Sequence, residues 1–317
     1  MDAEQLLDIQ GLKLDLPGGT RLLEGVSLRL KAGEALGVVG ESGSGKSLTA
    51  MSVMGLLPGL KASGHIIFSG QELVNLSDKA MRKLRGARIA MIFQDPMTAF
   101  LPVRSIGAQI DEQIRLHHRV SRREARARTV QLLERMGVPD PAMAAKRYPH
   151  QLSGGLRQRA MIAMALSCTP ALLIADEPTT ALDVTVQAQI LTLLREIREE
   201  GAGVMLITHD MGVVAQACTH VAVMYSGLVV ENGPVRDVLD RPLHPYTQAL
   251  LAAIPPLDGP RPERLPTIPG QPPTPDDRPT GCVFAPRCSF VRSECAVRPP
   301  LTEIEEGRRV ACVLYAA

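Results

Sequence analysis

The chain has 317 residues, a length that predicts one large or two moderate domains with a sizeable core. Hydrophobic residues make up 45% and charged residues 21%, which excludes an intrinsically disordered chain. The 35 basic and 33 acidic residues leave a formal charge of +2, so no global field attracts nucleic acid or an anionic membrane. The first residues lack the pattern of a signal peptide, and no apolar run is long enough to cross a membrane, so we expect a cytosolic chain.

Two regions differ in composition. Residues 1–254 show the pattern of an α/β protein, whereas 13 of the 25 prolines lie between Pro255 and Pro300. Proline removes a backbone donor and fixes φ, so long helices and central strands are excluded there. The sequence therefore predicts a main domain over 1–254. Over 255–317 it predicts a separate unit, made of a proline-rich connector and a small cysteine-bearing module.

The predicted elements of the main domain follow three kinds of pattern. Residues 26–30 alternate apolar and polar, which indicates a half-exposed antiparallel strand. Three further runs are almost wholly apolar, as in strands buried on both faces of a parallel sheet: 35–39, 171–175 and 204–208. Residues 96–150 lack such a run, and their helical spacing predicts an all-helical insertion. The same spacing predicts a helix that Asp183 caps and that ends at Gly201.

The run after the first buried strand fits the pattern G-x-x-x-x-G-K-[ST]. Glycines allow the backbone to aim several N–H groups at one point, and a following helix adds its positive end, so this loop can cradle a polyphosphate. We expect Lys46 to reach the β and γ phosphates and Ser47 to bind Mg²⁺. The loop residues predicted to contact the nucleotide are Gly40, Ser42, Gly43, Ser44, Gly45, Lys46 and Ser47.

A second buried strand ends in two carboxylates, Asp176 and Glu177. A carboxylate at a strand end can enter the coordination shell of Mg²⁺, while its neighbour points elsewhere and can orient or deprotonate an attacking water. The pair therefore predicts Asp176 as a Mg²⁺ ligand and Glu177 as the catalytic base of a nucleotide hydrolase.

Four further segments, together with these two, resemble the motif set of the ABC transporter ATPases. Residues 152–158 (LSGGLRQ) resemble the signature, Phe93-Gln94 the Q-loop, Ala181-Leu182-Asp183 the D-loop and His209 the H-loop. All occur in the family's order over about 250 residues. The resemblance implies an α/β fold, a RecA-like P-loop NTPase core with an antiparallel β subdomain and a helical insertion. The small cysteine-containing C-terminal extension would be added to this core.

The resemblance also implies a role for individual residues. Two such domains would sandwich two ATP molecules between them. The segment of one chain that would lie at the γ phosphate held by the other is Ser153, Gly154 and Gly155. His209 would hydrogen-bond the γ phosphate, Gln94 would sense Mg²⁺ and the attacking water, and Asp183 would couple the two sites. Glu177, His209 and Gln94 would thus be the catalytic residues.

The residues around the motifs resemble one particular group within this family. Five segments look like those of dipeptide and oligopeptide importer ATPases: 148–151, 161–166, 175–183, 184–190 and 244–247. The second of them is similar to the "D" rather than the "F" member of that group. The resemblance implies an ATPase at the cytoplasmic face of the inner membrane. Its partners would be a different ATPase subunit, two permeases and an extracytoplasmic substrate-binding protein.

Other functions stay open. Nickel or another small solute could replace the peptide, since specificity lies in other subunits of such importers. A non-transport ABC ATPase acting on nucleic acid is less favoured, because a coiled-coil insert and a second ATPase unit are missing. A stand-alone P-loop kinase is disfavoured, because the segment 153–158 would then have no function. Five arginines between Arg119 and Arg128 surround Glu124 without aromatic neighbours, so we expect a solvated helix face and no nucleic-acid partner.

The C-terminal extension carries four cysteines in the spacing C-x5-C-x6-C-x16-C: Cys282, Cys288, Cys295 and Cys312. Four thiolates could hold zinc or an iron–sulfur cluster, although the C-x2-C pairs common in zinc sites are absent. The resemblance to the family's extension, which in some members carries a 4Fe-4S cluster, favours iron–sulfur over zinc or metal-free thiols. The remaining cysteines, Cys168 and Cys218, are predicted to be inert core residues.

Two positions depart from the family's pattern. No aromatic residue precedes Phe68, so the ring that usually stacks on adenine, near Thr20 here, is missing. We expect Arg21 or Leu22 to lie against the purine, with weak discrimination between bases. Phe100 stands where a polar residue is common, and it either docks on the transmembrane partner or belongs to the core of the insertion.

Overall fold

The structure of the chain is a computed structural model that describes residues 5–179, 184–254 and 266–315. The predicted cap Asp183, the D-loop residues 181–183 and the first part of the proline-rich connector lie outside the described residues.

Strands and helices alternate along the main part of the chain. The described strands are β1 (Gln5–Asp15), β2 (Arg21–Lys31), β3 (Ala35–Val39), β4 (Lys61–Phe68), β5 (Gln71–Glu72), β6 (Ile89–Ile92), β7 (Leu172–Asp176), β8 (Gly203–Thr208), β9 (His220–Tyr225), β10 (Leu228–Pro234), β11 (Thr302–Glu305) and β12 (Arg308–Val310). The described helices are α1 (Lys46–Met54), α2 (Asp78–Leu84), α3 (Ile106–His117), α4 (Arg122–Arg135), α5 (Pro141–Ala144), α6 (Gly154–Ala165), α7 (Val184–Glu199), α8 (Met211–Ala217), α9 (Val235–Asp240) and α10 (Pro245–Ala252).

These elements belong to two compact units. The first contains Lys31–Gly33 and Leu76–Leu206, and the second contains Gln5–Leu30, Glu34–Asn75 and Ile207–Ala317. The chain passes from the first unit to the second within β8.

The first unit holds the helical segment. Helix α3 buries one stripe of isoleucines at i, i+4 spacing, which faces α4. Helix α6 packs on both of these helices and on β6. Phe100 is only 4% exposed, so it belongs to the core rather than to a docking surface. Strands β6 and β7 are parallel and buried, and the N–H of Gly203 in β8 donates to the Ala171 carbonyl at 2.9 Å.

The second unit contains an antiparallel sheet in the order β2-β1-β4-β5. Strand β2 includes residues 26–30, and its alternating burial matches the alternating sequence. Elsewhere in this unit β3 runs parallel to β9, and β9 forms a hairpin with β10. The hairpin turns at Ser226-Gly227, where both residues have positive φ.

The C-terminal extension adds strands to this unit. Strand β12 pairs with β10 at Glu231 and Val310, and β11 pairs with β12. The last part of the tail, which the sequence predicts as a separate unit, therefore pairs with a strand of the main domain. Proline excludes long elements, but it does not prevent short strands such as β11 and β12. Among the described residues, no helix combines the length and apolar character that crossing a bilayer requires.

Candidate functional site

The phosphate loop joins buried β3 to helix α1, the context that the motif requires. Its backbone needs glycine. Gly45, with φ 101°, begins the helix without a side-chain cap, and a Cβ there would lie 2.5 Å from Leu23 Cδ2. A Cβ at Gly40, with φ 152°, would overlap the Met224 carbonyl oxygen. The loop therefore folds close to its neighbours and leaves the helix N-terminus for an anion.

Two polar side chains of this loop are placed where they can bind a phosphate. Lys46 is 6% exposed, and its Nζ donates to the carbonyl oxygens of Gly40 at 2.7 Å and Glu41 at 2.9 Å. The Ser44 hydroxyl is buried and has no hydrogen-bond partner among the described residues. Because a buried hydroxyl without a partner is costly, this atom fits an oxygen-rich ligand in the loop.

The two carboxylates follow β7 in the first unit. Asp176 ends the strand and is 5% exposed, whereas Glu177 has φ 47°, a left-handed conformation that is uncommon outside glycine. This turn lets adjacent carboxylates point in different directions. Gln94 Nε2 donates to Glu177 Oε2 at 3.0 Å. The structure thus brings together the predicted base and the predicted Q-loop residue.

The signature segment opens helix α6. Ser153 is the N-cap, and its hydroxyl accepts the N–H of Leu156 at 3.4 Å. Ser153 and Gly154 are exposed, and a Cβ at Gly154 or Gly155 would meet no atom within 4 Å. Buried Gln158 ties the helix to the carboxylate segment by donating to the Pro178 carbonyl at 2.9 Å. The positive end of α6 is therefore open to a ligand.

His209 follows β8 as predicted and is exposed. Asp210 caps the next helix, α8, by accepting the N–H of Gly212 at 2.7 Å. The predicted site residues are therefore divided between the units. The phosphate loop and His209 belong to the second unit. Gln94, the signature and the carboxylate pair belong to the first. Asp183 lies outside the described residues.

The residues expected near adenine have other partners. Thr20 Oγ1 donates to Asp276 of the extension at 2.7 Å, and Arg21 Nε donates to Asp15 at 2.8 Å. Arg21 lowers the pKa of Asp15. The Leu22 carbonyl accepts from Arg278 at 3.2 Å. Sequence reasoning gave no indication of these contacts with the extension.

The four cysteines of the extension line one cavity, together with His244 and Phe284. The cavity has room for at most about one water molecule. All four are free thiols, and burial raises the pKa of Cys282, Cys288 and Cys312, as do their sulfur neighbours. Over the ranges that the structure describes, no three His, Cys, Asp or Glu residues form a group able to hold a metal ion. The cysteines therefore converge without forming a completed metal centre.

Sequence comparison gives matches along the whole chain. Residues 23–180 match the ABC transporter family, and residues 230–295 match the oligopeptide/dipeptide transporter C-terminal region. The chain is 50% identical over 318 residues to a probable peptide ABC transporter ATP-binding protein of Sinorhizobium fredii, covering 98% of this chain and 95% of that one. It is 48% identical over 313 residues to a putative peptide import ATP-binding protein of Brucella abortus, covering 97% and 94%.

Solved structures show the same fold. An ATP-binding cassette solved as a dimer in a post-hydrolysis state with ADP and phosphate has a TM-score of 0.67 at 27% identity, covering 73% of this chain and 99% of that chain. The cassette cbiO1 of Clostridium perfringens has a TM-score of 0.64 at 29% identity, covering 75% and 92%. The fold class and family predicted from the motifs are confirmed. The chain belongs to the ABC transporter ATP-binding proteins, in the group that carries the oligopeptide/dipeptide transporter C-terminal region.

Proposed function

We propose that the chain is the ATP-hydrolysing subunit of a bacterial importer for dipeptides or oligopeptides. The ATP part rests above all on the phosphate loop, where a buried lysine and a hydroxyl without a partner line a cradle opened by glycines. The peptide part rests on the match of residues 230–295 and on the names of the relatives. In this proposal residues 1–254 form the nucleotide-binding domain, with 255–317 as its extension.

Each site residue then has a chemical task. Lys46 and the loop N–H groups bind the β and γ phosphates, and the Ser44 hydroxyl gains a phosphate oxygen as its partner. Ser47, Asp176 and Gln94 would hold Mg²⁺, which neutralises charge on the phosphate oxygens when bound. The three oxygen donors suit this hard cation.

Glu177 is the proposed catalytic base. It accepts the proton of the attacking water while the oxygen of that water forms a bond to the γ phosphorus and the bond to ADP breaks. Gln94, which donates to this carboxylate, orients it, and His209 hydrogen-bonds the γ phosphate.

The assembly would be a heterodimer of ATPases on two permeases at the cytoplasmic face of the inner membrane, served by a substrate-binding protein. Ser153, Gly154 and Gly155 contact the γ phosphate held by the partner, and Asp183 couples the sites. ATP binding closes the dimer, and the Gln94 loop passes the motion to the permeases. Transport of nickel or another solute is the alternative, and stimulation of turnover by nucleic acid would point instead to a non-transport ATPase.

The catalytic assignment is tested with Glu177→Gln, which keeps the shape of the side chain and removes the base. We expect ATP turnover to fall by about 10²-fold or more. Binding of MgATP, measured by titration with a fluorescent nucleotide, should stay within about twofold. Glu200→Gln, an exposed glutamate paired with Arg135, is the matched control. Turnover by Glu177→Gln close to that of the parent chain would contradict the role.

A second proposal concerns the extension, in which Cys282, Cys288, Cys295 and Cys312 bind a 4Fe-4S cluster, with zinc as the alternative. Its support is that all four cysteines line one cavity, which has to widen to admit a cluster, and that backbone N–H groups donate to two of the sulfurs, from Phe290 to Cys288 at 3.4 Å and from Arg292 to Cys295 at 3.5 Å. Burial raises the pKa of Cys282, Cys288 and Cys312, and a bound cation would offset the cost of deprotonating them.

Colour and metal content after anaerobic purification test the second proposal. We expect a brown protein with iron and sulfide in equal amounts, and loss of the colour on Cys282→Ser. Cys168→Ser, at a buried cysteine elsewhere, should keep the colour. A colourless protein with zinc would support the alternative, and a metal-free protein would contradict both.

A further inference from the structure

Glu41, the second residue of the phosphate loop, is held by residues far along the chain. Its carboxylate accepts two N–H groups of Arg287, with Nη1 to Oε2 at 2.7 Å and Nη2 to Oε1 at 3.1 Å. Its backbone N–H donates to the Tyr246 hydroxyl at 2.9 Å. Both the side chain and the backbone of this loop residue are therefore fixed by contacts that the motif does not include.

Arg287 itself is well anchored. Its side chain is only 4% exposed, and its Nε donates to the Pro269 carbonyl at 2.8 Å. The guanidinium also donates to the Tyr225 hydroxyl at 3.2 Å and the Ile268 carbonyl at 3.4 Å. The planar fork thus has little freedom to rotate, so it can hold Glu41 in one position.

The charge of Glu41 makes this contact useful. A carboxylate in a loop that binds a polyphosphate repels its ligand unless a counter-charge offsets it. Arg287 lies against that carboxylate and neutralises it. The Glu41 carbonyl also accepts Lys46 Nζ at 2.9 Å, so the residue that Arg287 holds in turn holds the phosphate-binding lysine.

We propose that Arg287 of the C-terminal extension is a positioning residue for ATP binding, acting through Glu41 on the phosphate loop. The role rests on the proposed function, since it presumes that the loop binds ATP. The extension then completes the nucleotide site instead of being an appendage to it.

Three variants test the role. Arg287→Gln should raise the Kd and the KM for MgATP about tenfold, because loop groups misplaced by a fraction of an ångström lose affinity. The kcat should change less than about threefold, since Arg287 touches no reacting atom. Arg287→Lys keeps the positive charge but not the planar fork, so its Kd and KM for MgATP should lie between those of the parent chain and of Arg287→Gln. Arg298→Gln is a matched control, because it removes another ion pair of the extension, with Glu24 at 2.6 Å. Its Kd and KM for MgATP should stay within about twofold of the parent values.

A double-mutant cycle separates positioning from general weakening of the fold. In a Glu41→Gln background, Arg287→Gln should change the Kd for MgATP by less than about twofold, because its route to the loop is already removed. Melting temperatures without nucleotide check that Arg287→Lys and Arg298→Gln are folded. An unchanged Kd on Arg287→Gln, a full tenfold effect in the Glu41→Gln background, or an equal effect of Arg298→Gln would each overturn the role. A parent chain that binds no MgATP would overturn the proposed function itself, and the role with it.

Discussion

Lys46 is held in position before any phosphate is present. Its ammonium is almost fully buried, and the Gly40 and Glu41 carbonyls accept its hydrogens. Burial of a charge is unfavourable in itself, and these carbonyl dipoles offset part of that cost. A phosphate that reaches the ammonium adds a negative charge at short range. The affinity of the loop for a polyanion therefore originates in a charge that the fold has already removed from water.

His244 is a second buried residue whose charge state matters. It is 1% exposed, its Nδ1 accepts the Tyr246 N–H at 3.0 Å, and its backbone N–H donates to Glu231 at 2.9 Å. Burial lowers the pKa of His244 to about 4, from an ordinary value of 6.5. The native imidazole is therefore neutral at pH values where the unfolded one is charged.

This histidine should make the protein sensitive to acid. Between pH 6.5 and pH 4 the unfolded chain binds a proton that the native chain does not, so stability falls as the pH falls through this range. The free energy of unfolding should drop by about 2 kcal/mol between pH 7 and pH 5 from this residue alone. His244→Asn keeps an acceptor at the start of α10. Measured by urea unfolding, its loss of unfolding free energy between pH 7 and pH 5 should be smaller by about 2 kcal/mol than that of the parent chain. An equal loss in both proteins would contradict this effect of burial.

Most individual site residues could be predicted because their motifs are local. The phosphate loop, the carboxylate pair and the signature each follow from a few adjacent residues with fixed spacing. Arg287 is different, since it lies 246 residues from Glu41 and has no motif of its own. Tyr246 stands in a segment noted only for its family resemblance. Ion pairs between distant positions leave no pattern in a single sequence.

At the scale of elements, three almost wholly apolar runs predicted strands β3, β7 and β8, which are buried on both faces, whereas β6, which is equally buried, was not predicted. Strands β3, β7 and β8 lie within a residue of the predicted runs. The predicted helical insertion over 96–150 contains helices α3, α4 and the short α5. Ser121 caps the start of α4, where its hydroxyl accepts the N–H of Glu124. Strands β1 and β4 were not predicted, because their apolar residues alternate around glycines that produce bends.

The edge strands of the extension depend on a charge pair that composition could not reveal. The side chains of Arg308 in β12 and Glu231 in β10 are 1% and 0% exposed, and Arg308 Nη2 lies 3.4 Å from Glu231 Oε1. The Glu231 carboxylate also accepts the N–H groups of Leu243 and His244. Removing one partner of such a buried pair costs about 3–5 kcal/mol, because a charge is left without compensation. These contacts explain why a proline-rich tail still joins the sheet.

At the scale of the whole molecule, the residues with a proposed role at the nucleotide belong to two compact units and, in the same proposal, to two chains. The phosphate loop belongs to one unit, and the proposed base and the signature belong to the other. At the exposed start of α6, a Cβ at Gly154 or Gly155 would meet no described atom within 4 Å, which leaves room for a ligand. A γ phosphate held by a partner chain would fill it, so association of the chains should depend on ATP.

Gly155→Asp tests this association without disturbing the fold. A Cβ at Gly155 meets no atom within 4 Å, and an acidic residue near a helix N-terminus is tolerated, but its carboxylate repels an incoming phosphate. In a Glu177→Gln background, which prevents hydrolysis, we expect MgATP to join the chain to a second ABC ATPase, as measured by sedimentation. Gly155→Asp should weaken this association about tenfold or more. Its own MgATP binding should stay within about twofold, since the phosphate loop is untouched. Without the second ATPase the chain should remain monomeric, whereas dimers that form without nucleotide, or that tolerate the added carboxylate, would contradict the proposed sandwich.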